Sequence, residues 1–562
     1  MNPSYYFYRN QIKRMKSNPV NGLKSGFFSL IAGIVFSGCG STALVSTPIE
    51  NIDTVPLKVT ELSEAESKRW GHADLVSDTI PGMSVDRAYK EVASNLKVRE
   101  KVLVAVLDSG IDLNHEDLDG VIWTNKDETP GNGKDDDNNG YVDDVHGYNF
   151  LGEALHEQLE VARIQRLKLG DAAYQAKAKA VLDSDYVEAT SGKERYEQIL
   201  EAVRRADTAV KEHLGTDSYT AEDVAEIQTT DPVLQQHVGV LSQMFSFDPS
   251  MDSLMDQLED GVAYFTKQVK YHLNVEFDGR TVVGDNPYDL NSRGYGNGNP
   301  MNRDAEESHG THVAGIIGAE RGNGLGVDGV ADQVEIMSVR MVPDGDEYDK
   351  DVALGIRYAV DNGARIINAS FGKSFSPNKE WVYDAIKYAA DNNVLIVHAA
   401  GNDGLNLDDP DNPNFPNDQV AAGPEIAENV LTVGSLDETY GSEMVSSFSN
   451  YGASNVDVFA PGGSIYSTMP NNEYEFQGGT SMAAPAVSGV AALILSRFPE
   501  LSAVQVKKII MQSGLPVKTP VVLAGDTDLS KPFSEVSRTG KIVNAYNALI
   551  LAGQVASGNI SL

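Results

Sequence analysis

The stretch "KVLVAVLDSGID", residues 101–112, is an unbroken apolar run rich in valine and stopped by Asp-Ser-Gly. An amphipathic strand would alternate; a run without alternation is a strand covered on both faces, as in a parallel sheet. Similar runs recur at "VEIMSVRMV" (334–342), "ARIINASFG" (364–372), "NVLIVHAAGN" (393–402) and "NVLTVGS" (429–435). Between them lie segments of helical period, "KDVALGIRYAVDNG" and "NKEWVYDAIKYAADN". This alternation predicts an α/β fold with a doubly wound, mostly parallel sheet. In such sheets sites form at the carboxyl ends of strands, where Asp108, Ser370 and Asn402 fall.

Residues 151–275 interrupt the pattern with almost no strand signal. "RYEQILEAVRRADTAVKEHL" puts Tyr196, Ile199, Val203, Ala206, Val210 and Leu214 on one helical stripe. "DSLMDQLEDGVAYFTKQVKYHL" does the same with Leu254, Leu258, Val262, Phe265 and Val269. The expectation is a large all-helical insertion that either caps the site or decorates the periphery. The main unit then spans 65–150 and 276–552, with a tail at 553–562. Residues 40–60, rich in Ser, Thr, Val and Pro without a period, read as a tether.

Of the 562 residues, 81 are acidic and 45 basic, for a formal net charge of −36. Such a chain repels nucleic acid, so none is expected as a partner. The single cysteine, Cys39, excludes an internal disulfide framework. It follows "FFSLIAGIVFSG", whose apolar core is too short to span a bilayer and suits a signal peptide. The stretch resembles the lipobox of bacterial lipoproteins. That resemblance implies a signal peptide over 1–38, cleavage before Cys39, and a lipid on its thiol. The mature chain would begin with a lipidated tether, or a propeptide, over 39–64. It would sit in the cell envelope, periplasm or outer membrane, anchored or released by processing. An ordinary signal peptide or a short anchor is the alternative. The leader is long, and Met15 is a more usual start than Met1. Nothing in the sequence sets the oligomeric state.

Three further segments carry chemistry. "AVLDSGID" ends a strand on Asp108; "SHGTHVAGIIGA" puts His309 before an apolar helix; "GGTSMAAP" puts Ser481 after two glycines, with Pro485 in or near the first turn of a helix. Alone, Asp108 reads as a cap or turn residue, His309 as structural and Ser481 as an N-cap. Together and in this order they resemble the Asp, His and Ser signature segments of the subtilisin-like serine proteases. The resemblance covers roughly 65–550 apart from the insertion. It implies a subtilisin-like fold and a serine endopeptidase acting on proteins or peptides, with Asp108, His309 and Ser481 as the triad. "HAAGND" matches the oxyanion segment, with Asn402 as donor. "NASFG" resembles the segment that pairs with substrate backbone, so Ser370, Phe371 and Gly372 would line that edge, and Ala400 and Gly401 part of the specificity pocket. A preference for apolar or aromatic side chains is expected there. His398 departs from the family pattern and reads as a core or pocket-wall histidine; His312 reads as structural.

"DDDNNGYVDD" (135–144) offers oxygens at alternate positions: Asp135, Asp137, Asn139, the Tyr141 carbonyl and Asp143, with Gly140 at the turn. That spacing suits a hard cation, Ca²⁺, although the twelfth position is His146 rather than glutamate. A solvated acidic turn is the other reading. Two rival functions remain beside the protease: a catalytically inactive subtilisin-shaped binding lipoprotein, and a calcium-stiffened scaffold that leaves Ser481 unexplained.

Overall fold

The computed structural model describes residues 46–50, 52, 58, 60–419 and 423–562. Cys39 and the leader lie outside the described residues. Nine strands make one sheet. In chain order they begin with β1 (Val102–Asp108), β2 (Gly147–Asn149), β3 (Val334–Arg340), β4 (Ile366–Ala369), β5 (Leu395–Ala399), β6 (Val430–Leu436) and β7 (Val458–Pro461). β8 (Ile465–Met469) and β9 (Glu473–Gln477) form a separate hairpin. β10 (Leu515–Pro516) and β13 (Lys541–Ile542) close one edge of the sheet, while β11 (Val521–Leu523) pairs with β12 (Asp526–Lys531) apart from it. The order is β10-β13-β7-β6-β5-β4-β1-β3-β2, parallel except for β10 against β13. This is the mostly parallel sheet with helices of the sequence expectation.

Every residue of β1 is buried. Because side chains alternate across a strand, Val102, Val104 and Val106 pack on one face with helices His309–Gly318 and Thr480–Leu495. Leu103, Ala105 and Leu107 pack on the other with helices Asp349–Asp361 and Lys379–Asp391. Two apolar layers thus account for a strand with no polar alternation. The pairing keeps strand ends level: Asp108 faces Arg340, Leu107 faces Ala369, and Ala369 faces His398.

Between Glu160 and His272 the chain is helical, with its own apolar clusters. One helix, Ala172–Leu214, is 43 residues long and is capped by Asp171, whose side chain accepts from Tyr174 N. Pro232–Phe245 starts with its proline in the first turn, where the missing N–H costs nothing. Val203, Ala206, Val210, Leu254 and Leu258 are buried as the stripes predict, but Leu214 is 36% exposed because the helix ends there, past its packing partners. Helix Met251–Lys267 runs into a π-helical turn, Gln268–His272, whose His272 is buried.

Both termini of the described chain are more ordered than composition suggests. In the segment read as a tether, Ile49 donates its N–H to Asn547 Oδ1 (2.8 Å), its carbonyl accepts from Asn547 Nδ2 (2.9 Å), and Ile52 is buried. Helix Ala545–Ala556 extends into the segment read as a tail, and Leu562 packs against the main core. Among the described residues no helix is long and apolar enough to cross a membrane.

Candidate active site

β1 delivers Asp108 to the carboxyl edge of the sheet, where its Oδ1 accepts from Ser109 N (2.8 Å). Helix His309–Gly318 begins against that edge. Gly310 makes this approach feasible, since a Cβ there would overlap the Gly110 carbonyl. His309 consequently meets Asp108, with Nδ1 and Oδ1 2.8 Å apart. Asp108 is 1% exposed, and its Oδ2 has no partner among the described residues. Burial disfavours the His309 imidazolium, but the charge and hydrogen bond of Asp108 outweigh it, and the pKa rises above the ordinary 6.5.

Ser481 lies in the first turn of helix Thr480–Leu495 and lines the same cavity, of about 290 Å³, as Asp108 and His309. Its hydroxyl donates to the Ser370 carbonyl (3.1 Å) rather than to His309. The Ser370 hydroxyl in turn donates to the Ser481 carbonyl (2.9 Å) and accepts from Asn368 Nδ2 (2.9 Å). Pro485 explains that second bond. It sits inside the helix, six positions in, just past the first turn in or near which the sequence put it. Lacking an N–H, it leaves the Ser481 carbonyl without its helical donor, and Ser370 supplies one.

Asn402 Oδ1 accepts from Thr480 N and Thr480 Oγ1, both at 2.9 Å. This orients its amide, whose Nδ2 has no partner among the described residues, at the start of the Ser481 helix. Phe371, Gly372 and Gly401 line the cavity; Ala399 lines it too, whereas Ala400 is fully buried in a core cluster with Leu436 and Tyr451. Ser370 is 3% exposed, its side chain occupied as a pin between β4 and the helix.

His398 and His312 are both buried and hydrogen-bonded to carbonyls. His398 Nε2 meets Phe371 O (3.0 Å), fixing the edge beside the cavity. His312 Nε2 meets Ile465 O (3.1 Å) and Glu475 O (3.2 Å), tying the β8–β9 hairpin to the His309 helix. Arg340, fully buried at the end of β3, pairs with Glu307 two residues before His309 and donates to Ala154 O (2.9 Å).

The insertion reaches the same cavity. Asp185 and Ala189 of the long helix and Tyr264 and Phe265 of helix Met251–Lys267 form a roof over it. The roof is anchored by a buried ionic cluster that the motifs did not indicate. Lys373 Nζ, one residue past Gly372, binds Glu160 Oε2 (2.7 Å), Asp349 Oδ1 (2.9 Å) and Glu347 O (2.7 Å). Arg163 donates to Glu160 Oε2 (2.7 Å) and to the carbonyls of Asp346 and Glu347.

The acidic loop folds around its own backbone. Asp135 accepts from Asn139 N and Gly140 N, and Asp143 from Asn132 N and Gly133 N. Asn139 Oδ1 accepts from Tyr141 N (2.8 Å), and the Tyr141 ring packs on Tyr148 and Tyr358. The group that converges is Glu128, Asp137 and Asp144, with ligand atoms within 4.8 Å of one another. Asp137 belongs to both sets; Glu128 and Asp144 were not singled out from sequence, where Glu128 stands outside the acidic run. Glu128 Oε2 and Asp144 Oδ1 are buried without partners among the described residues. Burial pushes Asp144 up to about 6, against the pull of hydrogen bonds from Tyr358 and Asn139. Crowded carboxylates with inward-facing orphan oxygens fit a hard cation.

The model of the subtilase family, Peptidase_S8, matches residues 99–534, and the chain belongs to that family. The thermophilic serine proteinase of Bacillus sp. (strain AK1) is 37% identical over 227 residues, covering 40% of this chain and 49% of that one. Thermitase of Thermoactinomyces vulgaris is 40% identical over 190 residues, covering 34% and 61%. The chain thus spans about half to three-fifths of the length of these relatives. A solved structure described as proteases from Pseudoalteromonas arctica PAMC 21717 is similar over 86% of this chain and 97% of that one, with 20% identity and a TM-score of 0.43.

His398 makes stability pH-dependent. Burial lowers its pKa from 6.5 to about 4, the bond to Phe371 O pulling the other way. Between those values the unfolded chain takes up a proton that the folded chain refuses. Its contribution is fully present above pH 6.5 and is lost as pH falls toward 4, by about 3 kcal/mol at roughly 1.4 kcal/mol per unit. A His398→Gln variant should therefore show a shallower decline of unfolding free energy over that window in chemical denaturation. Equal slopes for variant and wild type would remove His398 as the cause.

Proposed function

We propose that the chain is a serine endopeptidase. The Asp108–His309 hydrogen bond of 2.8 Å, in one cavity with Ser481, is the observation that carries this reading. In the reaction, Ser481 Oγ leaves the Ser370 carbonyl, passes its proton to His309 Nε2 and attacks the scissile carbonyl. The carbonyl π pair moves onto oxygen, and the C–O bond forms. Asn402 Nδ2 and the free N–H groups opening the Ser481 helix donate to that oxyanion. The C–N bond then breaks as His309 returns the proton to the leaving amine. Water, deprotonated by the same imidazole, hydrolyses the acyl-enzyme. Asp108 stabilises the imidazolium throughout, which agrees with the raised pKa of His309. The apo orientation of Ser481 is compatible with this, because such bonds tighten when substrate arrives.

The roof supports a restriction to extended or unstructured polypeptide. Segment 370–372 and the loop after β3 offer two edges between which such a chain can pair. Glu128, Asp137 and Asp144 would hold a structural Ca²⁺, which would neutralise three crowded carboxylates below the aromatic cluster of Tyr141, Tyr148 and Tyr358. From sequence alone, Cys39 would carry a lipid that holds the enzyme to an envelope membrane.

Three experiments test these assignments. A fluorophosphonate should label Ser481, and Ser481→Ala should lower turnover of casein by about 10⁶-fold, the magnitude known for the subtilisin nucleophile. A wild-type chain that neither labels nor cleaves would leave the inactive binding lipoprotein in its place. EDTA should lower the melting temperature by about 2–4 °C and added Ca²⁺ restore it, with Asp144→Asn losing the response. An unchanged melting temperature under both treatments would dismiss the cation. In cells fed a lipid precursor, label should enter the wild-type chain and be absent from Cys39→Ala; equal labelling would refute the anchor.

A further inference from the structure

The cavity beside Ser481 has an unbalanced lining. Among the described residues that form it, Lys267 is the one lysine or arginine, and it is engaged by Glu306 (2.5 Å) and Asp344 (3.7 Å). Asp108 faces His309, and Glu307 faces Arg340. Three carboxylates on the walls then have no cation paired to them among the described residues: Asp185 on the roof, Asp346 in the loop after β3, and Asp403 next to Asn402; a fourth, Glu347, feels the charges of Lys373 and Arg163 without a hydrogen bond from either to its carboxylate. Glu347 is 2% exposed, and its Oε1 is buried without a hydrogen-bond partner. A buried carboxylate oxygen with nothing to accept is costly, and in a binding cleft it marks a place for a donor.

These groups come from elements far apart in sequence and meet across the cleft. Asp185 hangs from the long helix of the insertion, while Asp346 and Asp403 rise from two sheet-edge loops on either side. Burial and then the charges of Glu188, Asp403 and Asp346 push the Asp185 carboxyl up to about 6, so the three walls share one field. Their oxygens do not draw together as a metal site does: among the described residues, Glu128, Asp137 and Asp144 are the group that comes within 4.8 Å. Carboxylates spread around an opening, rather than converging on a point, suit an elongated cation with several donors on a flexible stem.

We propose that this cleft selects peptides bearing a lysine or arginine side chain, received between Asp185, Asp346 and Asp403 with Glu347 at the buried end. The idea rests on the endopeptidase reading and supplies its substrate class, in place of the apolar or aromatic preference that the sequence suggested. The insertion is then a specificity element, since Asp185 belongs to it. The net charge of −36 adds a long-range attraction for cationic segments.

The test uses the full chain and sets of internally quenched peptides in which arginine replaces norleucine at one position at a time. At one position arginine should raise kcat/KM at least about tenfold, equivalent to about 1.4 kcal/mol. Raising salt from about 0.1 M to about 1 M, which shortens the screening length from about 10 Å to about 3 Å, should shrink that ratio. Combining Asp185→Asn with Asp403→Asn should bring it within about twofold, and Asp185→Lys should take it below one. A wild-type ratio under about threefold at every position, or a preference that survives both variants, overturns the proposal. Fluorophosphonate labelling of Ser481 reads the triad separately, so a chain that labels without discriminating loses this inference and keeps the protease. Anisotropy of the two peptides on the Ser481→Ala chain reads recognition without turnover: tighter binding of the arginine peptide sustains the inference even if catalysis fails, and equal binding overturns it.

Discussion

Level parallel pairing across β3, β1, β4 and β5 is the constraint on which the site depends. With Asp108 opposite Arg340, Leu107 opposite Ala369 and Ala369 opposite His398, the strands end together and release their loops on one edge. A slip of one residue would turn every side chain of a strand to the opposite face. Here that would exchange the valines of β1 for its leucines between two unlike layers and carry Asp108 off the edge. The register is therefore enforced by apolar burial on both faces, and the polar chemistry at the edge inherits its geometry from the packing beneath.

Two devices then convert a common edge into a defined pocket. One is the reciprocal pair between Ser370 and Ser481, in which each hydroxyl donates to the carbonyl of the other. It joins β4 to the Ser481 helix at the turn where Pro485 leaves a carbonyl without its helical donor. The other is the buried cluster of Lys373, Glu160, Asp349 and Arg163. Desolvating so many charges costs free energy that their mutual attraction only partly returns, and removing one member typically costs about 3–5 kcal/mol by stranding the rest. Such a cluster is a poor source of stability but a strong source of position. It ties the start of the helical region to the residue that follows Gly372.

The unpaired carboxylates of the cleft contrast with that cluster. The Lys373 ammonium is met by two carboxylates and a carbonyl, whereas on the cavity walls acceptors exceed donors. The same excess recurs at Glu128, Asp137 and Asp144, on a smaller scale and with converging oxygens. One chain of net charge −36 thus uses its acidity in three ways: paired in the core, gathered at a point, and spread around an opening.

The strand runs, the helices between them and the positions of Asp108, His309, Asn402 and Ser481 were legible in the sequence. They depend on local periodicity, and on short segments whose glycines, small residues and polar groups form one turn each. What only the tertiary structure decided involves residues that meet over long separations. Glu128 and Asp144 join Asp137 because the loop curls back on Glu128, and spacing within "DDDNNGYVDD" cannot report a partner outside it. Pro485 is accommodated at the sixth position of its helix because Ser370, more than a hundred residues earlier, supplies the missing donor. Ala400 turns inward and Ala399 faces the cavity. The helical region read from its stripes as either a cap or a decoration lines the cavity with Asp185, Ala189, Tyr264 and Phe265, and Glu160 at its start is held by Lys373. Local patterns determine which element a residue joins; which elements then share a surface is a property of the packed chain.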